Sequence, residues 1–253
     1  MSKIISIHSY RGGTGKSNVT ANLASVIAKS GKRVAVVDTD IQSPGIHVLF
    51  GFDDDDIQTS LNDYVWGKLP ISQVSYDVTK VLGKQAVSGN GKLYLIPSST
   101  STEDIARVLR EGYDIEYLSE GLQSLIEELN LDYLLIDTHP GLNEETLLSI
   151  TISDILLLIL RPDSQDYQGT AVTVEVSRKL QVPEMLMLVN KAPTKFDPDQ
   201  LRQKVEETYN VGVVGVLPHS DEMMMLASSG LFTVEYPDHE LNQVFQSVAQ
   251  KII

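Results

Sequence analysis

The chain has 253 residues, of which 42% are hydrophobic and 21% charged, with 17 Gly and 10 Pro; this composition suits a folded protein with a sizeable core and excludes bulk disorder or a collagen-like repeat. Cysteine is absent, which excludes a disulfide framework, a cysteine nucleophile, a thiolate zinc site and an iron–sulfur cluster. With 34 acidic against 20 basic residues the net charge is −14, which disfavours a protein coated with nucleic acid, because phosphate binding depends on Lys and Arg.

Met1-Ser2-Lys3 leads straight into Ile4-Ile5-Ser6-Ile7, without the apolar stretch or cleavage site of a signal peptide. The longest apolar run, Ile155 to Leu160, is far shorter than the roughly 20 residues of a membrane span. A cytoplasmic protein that does not enter membranes is expected. In chain order, apolar runs at Ile4–Ile7, Val34–Val37, Leu93–Ile96, Leu134–Ile136, Ile155–Leu160, Met185–Val189 and Val213–Leu217 read as buried parallel strands. Segments with helical spacing lie between them, including Leu122, Leu125, Ile126 and Leu129, and Leu241, Val244, Phe245, Val248 and Ile252. The alternation predicts an α/β fold, a doubly wound, mostly parallel sheet with helices on both faces, with residues 1–253 as one domain. Phe52 to Gly91, with its acidic run Asp53–Asp56 and turn-rich Ser88-Gly89-Asn90-Gly91, reads as a surface insertion.

The strongest chemical signal is Tyr10-Arg11-Gly12-Gly13-Thr14-Gly15-Lys16-Ser17, between the first predicted strand and a helix expected from about Ser17 to Lys29. Glycines let successive backbone N–H groups turn toward phosphate oxygens, and the helix N-terminus adds a positive dipole. Lys16 would neutralise the β- and γ-phosphates, and Ser17 carries the hydroxyl with which a P-loop holds Mg²⁺. The strict G-x-x-x-x-G-K-[ST] pattern is not met, because Tyr10 stands where its first glycine would be. Asp38 and Asp40 follow the second strand, at the carboxyl edge where open α/β sheets bind ligands. One of the two would activate the attacking water and the other would serve the metal shell; Asp40 is the first choice for water and Asp38 the second.

The run Gly-Gly-x-Gly-Lys-Ser resembles the deviant Walker A loop of the ParA/MinD family of ATPases. That family has a signature lysine just before the two glycines, which crosses a dimer interface to the partner's nucleotide; here Arg11 holds the position and keeps the charge. The resemblance implies a P-loop fold, ATP and Mg²⁺ as cofactors, and a homodimer when ATP is bound. It implies nucleotide contacts from Gly12, Gly13, Thr14, Gly15, Lys16, Ser17 and Asn18. Leu134-Leu135-Ile136-Asp137 followed by Thr138-His139-Pro140-Gly141-Leu142 resembles Walker B and switch II. Asp137 would then bind Mg²⁺ through water, with Ser17 and Asp38 in the same metal set, while Pro140 to Leu142 sense the γ-phosphate. His139 invites an acid–base reading, but the family usually has a small or apolar residue there, and it is not counted among the catalytic residues. Val189-Asn190-Lys191 and Val216-Leu217-Pro218 suit adenine, with Asn190 offering a donor and an acceptor.

Branches of this family that need cysteines do not fit, nor does the membrane-bound MinD branch, since Glu240 to Ile253 has Lys251 as its one positive charge. A tyrosine-kinase branch would need a terminal tyrosine cluster, whereas Tyr236 is the last tyrosine. The remaining resemblance is to ParA-like positioning ATPases that bind nucleoid DNA nonspecifically, and within them to cyanobacterial McdA proteins, through the Ser43-Pro44-Gly45-Ile46-His47-Val48-Leu49-Phe50-Gly51-Phe52 continuation. It implies a carboxysome as cargo, an adaptor protein of the McdB type and a nucleoid-associated location. Arg161 to Lys204 holds seven basic and six acidic residues, and Arg161, Arg178, Lys179, Lys195, Arg202 and Lys204 are expected to share a DNA-binding face. Two alternatives stay open: a DNA-independent MinD-like switch acting through a protein partner, and a phosphate-transferring ligase, for which no second binding motif is evident.

Overall fold

Each of the seven apolar runs forms a strand in the computed structural model, which describes residues 2–83 and 88–253. The strands are β1 (Lys3–His8), β2 (Arg33–Asp38), β3 (Tyr76–Asp77), β4 (Lys92–Ile96), β5 (Tyr133–Asp137), β6 (Ile155–Leu160), β7 (Glu184–Ala192) and β8 (Gly212–Pro218). They make one sheet in the order β3-β4-β2-β5-β1-β6-β7-β8, parallel except where the two-residue β3, absent from the sequence reading, runs antiparallel to β4. The helices among the described residues are α1 (Lys16–Lys29), α2 (Leu61–Val65), α3 (Thr102–Glu111), α4 (Ile115–Glu128), α5 (Glu144–Thr151), α6 (Ser164–Lys179), α7 (Pro198–Tyr209), α8 (Asp221–Leu226), α9 (Phe232–Glu235) and α10 (Glu240–Ile252).

Side-chain alternation along each strand sorts the core into two faces. Ile5, Ile7, Val34, Val36, Leu135, Ile155, Leu157 and Ile159 pack against α1, α9 and α10 through Leu23, Ile27, Phe232, Phe245 and Val248. The intervening Ala35, Val37, Leu134 and Ile136 meet α2 and α4, and Leu156, Leu158 and Leu160 meet α6 and α7. The apolar stripe of α10 is therefore spent on the core, with Leu241, Phe245, Val248 and Ile252 buried. No helix among the described residues is long and apolar enough to cross a membrane.

Strand β1 lies between β5 and β6. The chain leaves β1 through α1 toward β2 on one side, and later passes from β5 through α5 to β6 on the other. The carboxyl end of β1 is thus the point where the winding reverses, which is where a crevice opens in such sheets.

The expected surface insertion is corrected by its packing. Leu61, Tyr64, Val65, Ile71 and Val74 are buried against the α4 side of the sheet, and Val78 and Leu82 against the α1 side. These residues sit in α2 and short 3₁₀ turns, too brief to show a helical or strand period, so their burial left no pattern in the sequence. The Ser88-to-Gly91 turn is present, with the Gly91 amide donating to the Ser88 carbonyl at 3.3 Å; residues 84–87 of that segment lie outside the described residues. On α4, Gly121 admits the Tyr64 ring, which stacks on Tyr117 at 4.6 Å and donates its hydroxyl proton to the Tyr117 carbonyl at 2.7 Å. A Cβ on residue 121 would fall inside that ring. Gly121→Ala is expected to destabilise the protein by about 1–3 kcal/mol in urea unfolding, whereas an insertion lying loosely on the surface would leave the midpoint unchanged.

Candidate functional site

The loop from Ser9 to Gly15 joins β1 to α1, and its conformation depends on glycine. Gly13 and Gly15 have φ of +76° and +88°, and a Cβ on Gly15 would lie 2.5 Å from Asn190 Nδ2. Helix α1 starts on Gly15 with no side-chain cap and no acidic residue in its first turn. By contrast Asp114, Asn143, Asp163, Asp197 and His239 cap α4, α5, α6, α7 and α10. The first-turn N–H groups of α1 are left to an anion, and they open onto a hollow of about 310 Å³ lined by Gly12 to Asn18, Asp40 and Pro140. Thr14 Oγ1 is buried in this loop without a hydrogen-bond partner.

Arg11 rests on its own chain, with its guanidinium 3.6 Å from Asp163 and 3.5 Å from the buried Asp166. The preceding Tyr10 ring lies against α6 at Gly169, where a Cβ would fall inside it. Tyr10 therefore anchors the loop at the position where the strict pattern has a glycine.

Strand register brings the carboxylates together. Asp38 pairs in register with Asp137, and Asp137 with Ile7, so the ends of β2, β5 and β1 are level. Lys16 is folded back into this group, only 7% exposed, with Nζ donating to Asp137 Oδ1 at 3.0 Å. Thr20 Oγ1 donates to the same oxygen at 3.1 Å, a contact the sequence reading missed although Thr20 lies one helical turn after Lys16. Asp38, 1% exposed, accepts from the amides of Asp40 at 3.0 Å and Gly45 at 3.3 Å. Burial, reinforced by the charges of Asp137 and Asp40, pushes its carboxyl up to about 8. At the foot of the loop the buried His8 is held down to about 3 by desolvation and by Lys16, so it is a neutral ring in this site. Asp40 Oδ1 accepts from the Ser43 amide at 3.2 Å and lies 2.6 Å from His139 Nδ1, a partner the sequence reading had set aside.

Among the described residues no three His, Cys, Asp or Glu side chains form a metal cage. The donors present, the Ser17 hydroxyl with Asp38 and Asp137, are hard oxygens, which suit Mg²⁺ ligated partly by water and substrate phosphates. One ammonium faces three carboxylates here; Asp38 is raised first by burial and then by its acidic neighbours, and a divalent cation would offset the second of these.

A second hollow of about 210 Å³ adjoins the first and is lined by Gly15, Asn18, Asn190, Lys191, Pro218 and residues of α8. Asn190 Nδ2 donates to the Thr14 carbonyl at 2.8 Å and its Oδ1 accepts from the Lys191 amide at 2.9 Å, so the amide braces the loop with one N–H and one lone pair while lining the hollow. Lys191 Nζ likewise donates to the Gly13 carbonyl at 2.8 Å. Leu217 is buried in the core with α10, because strand alternation turns it away from the hollow.

The six basic residues do not share one face. Arg161 is paired with Asp163 and Asp166, and Arg178 donates to the Tyr209 carbonyl at the end of α7. Lys195 and Lys204 line one hollow with Phe196, whereas Arg202 lines another beside β8 and α10. Residues 202 and 204 are two apart on a helix and so point to different sides.

Residues 2–189 match the AAA_31 family, an AAA domain. The chain belongs to that family. An uncharacterized ATP-binding protein of Methanocaldococcus jannaschii is 29% identical over this whole chain and 88% of its own length. Among solved structures, the cell division ATPase MinD of Pyrococcus furiosus superposes with a TM-score of 0.81 at 24% identity, covering 100% of this chain and 98% of that one. The septum site-determining protein MinD of Pyrococcus horikoshii, complexed with Mg-ADP, gives 0.79 at 22%, covering 100% and 96%. Apo McdA from Cyanthece gives 0.74 at 18%, covering both chains fully. The chain thus shares the P-loop fold of these MinD and McdA structures.

Two outcomes test the site's construction. Gly15→Ala is expected to weaken nucleotide affinity about tenfold or more through backbone strain and the Asn190 contact, while Gly212→Ala, a position with open space around it, leaves affinity unchanged in the same fluorescence titration. For Asp38, the folded carboxyl titrates near 8 and the unfolded one near its ordinary 3.8, so folding takes up a proton between these values and stability falls as pH rises through them. In EDTA-treated, nucleotide-free protein, Asp38→Asn removes this loss; its stability advantage over wild type is expected to grow from pH 4 to pH 8, measured by urea unfolding.

Proposed function

We propose that this family member is a magnesium-dependent ATPase acting as a nucleotide-timed switch, monomeric without ATP and paired with a second copy of itself when ATP is bound. The observation that carries the reading is the uncapped N-terminus of α1, open onto the hollow that Asp40 lines, with the Lys16–Asp137 pair and Asp38 buried beside it. The MinD of Pyrococcus horikoshii complexed with Mg-ADP supports the choice of nucleotide and metal.

In this reading the amides of Gly12 to Asn18 receive the phosphates, and Lys16 leaves Asp137 to lie against them. Magnesium, held by Ser17, Asp38 and Asp137, would supply further neutralisation of phosphate charge. Asp40 lines the phosphate hollow and takes the proton from the attacking water, the role for which Asp38 is too enclosed by its two backbone bonds. Arg11 must give up Asp163 and Asp166 before it can reach a partner's nucleotide. Asn18, Asn190, Lys191 and Pro218 border the space for the base, and Leu217 contributes through its backbone alone.

For the target of the switch, the reading carried from the sequence is nonspecific nucleoid DNA, with a carboxysome as cargo and an adaptor of the McdB type stimulating hydrolysis. Its support is the Ser43–Phe52 continuation and the pair Lys195 and Lys204. A DNA-independent switch acting through a protein partner is favoured by the self-pairing of Arg161 and Arg178 and by the net charge of −14.

One experiment separates them. Wild type and Asp40→Ala are assayed for ATP hydrolysis, for dimerisation, and for binding to duplex DNA with ATP·Mg²⁺, ADP or no nucleotide across a salt series. The expected result is magnesium-dependent hydrolysis that Asp40→Ala lowers at least about a hundredfold, with the variant accumulating as an ATP-bound dimer. Salt-sensitive DNA binding confined to the ATP dimer assigns the nucleoid target; an intact dimer that ignores DNA assigns the protein-partner switch.

A further inference from the structure

The contact between His139 and Asp40 is not required by the phosphate loop or by the metal ligands. It joins the segment after β5 to the segment after β2, 99 residues apart in the chain, at 2.6 Å. An ionised carboxylate only accepts, so His139 Nδ1 carries the proton and donates it. The Ser43 amide donates to the same Oδ1, and among the described residues no hydrogen bond reaches Oδ2. Two donors on one oxygen fix the rotation of the carboxylate, and Oδ2 is the oxygen left without a hydrogen bond on a residue that lines the hollow.

The histidine is itself held. Its carbonyl accepts from Thr146 Oγ1 at 3.2 Å, and the Thr146 amide donates to Asn143, the residue that caps α5. Asp40 is thus braced, through His139, against a helix on the far side of β5.

We propose that His139 is a positioning residue for hydrolysis: it holds Asp40 through Oδ1 so that Oδ2 faces the attacking water. The inference rests on the reading of Asp40 as the water-activating group. Its energetic content is orientation, since an unanchored carboxylate must find the productive rotation in each turnover, and misplacement on this scale costs on the order of a hundredfold in rate. A mere clip between two loops would instead show its loss in stability or in nucleotide affinity.

The test compares wild type, His139→Ala, His139→Asn, Asp40→Ala and the double Ala variant in steady-state ATP hydrolysis with Mg²⁺, alongside urea unfolding and ¹⁵N-histidine spectra of the nucleotide-free protein. His139→Ala is expected to lower kcat about 10–100-fold, with KM for ATP and the unfolding midpoint little changed. His139→Asn, whose amide N–H can stand in for Nδ1–H, recovers most of the rate. In the Asp40→Ala background the histidine substitution adds no further loss. The spectra show a protected, low-field Nδ1 proton of His139 that Asp40→Ala removes. An unchanged kcat, an equal loss in the Asp40→Ala background, no recovery with Asn, or no such proton overturns the proposal. If wild type hydrolyses no ATP, the Asp40 assignment itself fails and takes this inference with it; if wild type is active and His139→Ala is as fast, the inference alone fails.

Discussion

The register of three adjacent strands, β2 on β5 on β1, is the constraint from which the candidate site follows. It sets Asp38 beside Asp137 and Asp137 beside Ile7, so the loops after all three strands leave the sheet at one level. Strand side chains alternate between faces, and a slip of one residue would exchange the core-facing and site-facing sets together. The core enforces the register, because Val34, Val36 and Leu135 pack toward α1 while Ala35, Val37, Leu134 and Ile136 pack toward α2 and α4. Apolar burial on both faces thereby positions the polar chemistry at the edge.

That edge carries an electrostatic imbalance. Three carboxylates gather near a single ammonium, and Asp38 is driven toward its neutral form by burial and by its acidic neighbours. The two cations of the loop sequence are occupied within the chain, Lys16 by Asp137 and Arg11 by Asp163 and Asp166. A phosphate ligand that draws Lys16 away must exchange partners with Asp137, and the carboxylate released is one suited to a hard divalent cation. Anion and cation are complementary here, since each relieves the charge left by the other. The uncapped start of α1 needs no such exchange.

Much of this architecture was legible because it rests on local rules. Apolar runs of three to six residues marked the buried strands, and a glycine-rich turn before a helix marked the anion cradle. Asp38, Asp40 and Asp137 stood out because each follows an apolar strand. The signal failed where burial comes without a period, as in the short turns holding Ile71, Val74 and Leu82. It also failed where a residue type has two uses. Asn190 has the donor and acceptor that a base requires, and the fold already engages one N–H and one lone pair of that amide in bracing the loop, a use no local pattern announces.

By itself, the sequence determined the layer order of the fold and which residue types stand at the ends of the central strands, because hydrophobic periodicity and glycine freedom act over a few neighbouring residues. Tertiary structure alone decided the pairings: Lys16 with Asp137, Arg11 with Asp163 and Asp166, His139 with Asp40, and the separation of Arg202 from Lys204 around α7. Those contacts span up to 155 positions and depend on which loops the sheet order places side by side, and no local pattern in the chain encodes a distance between segments that far apart.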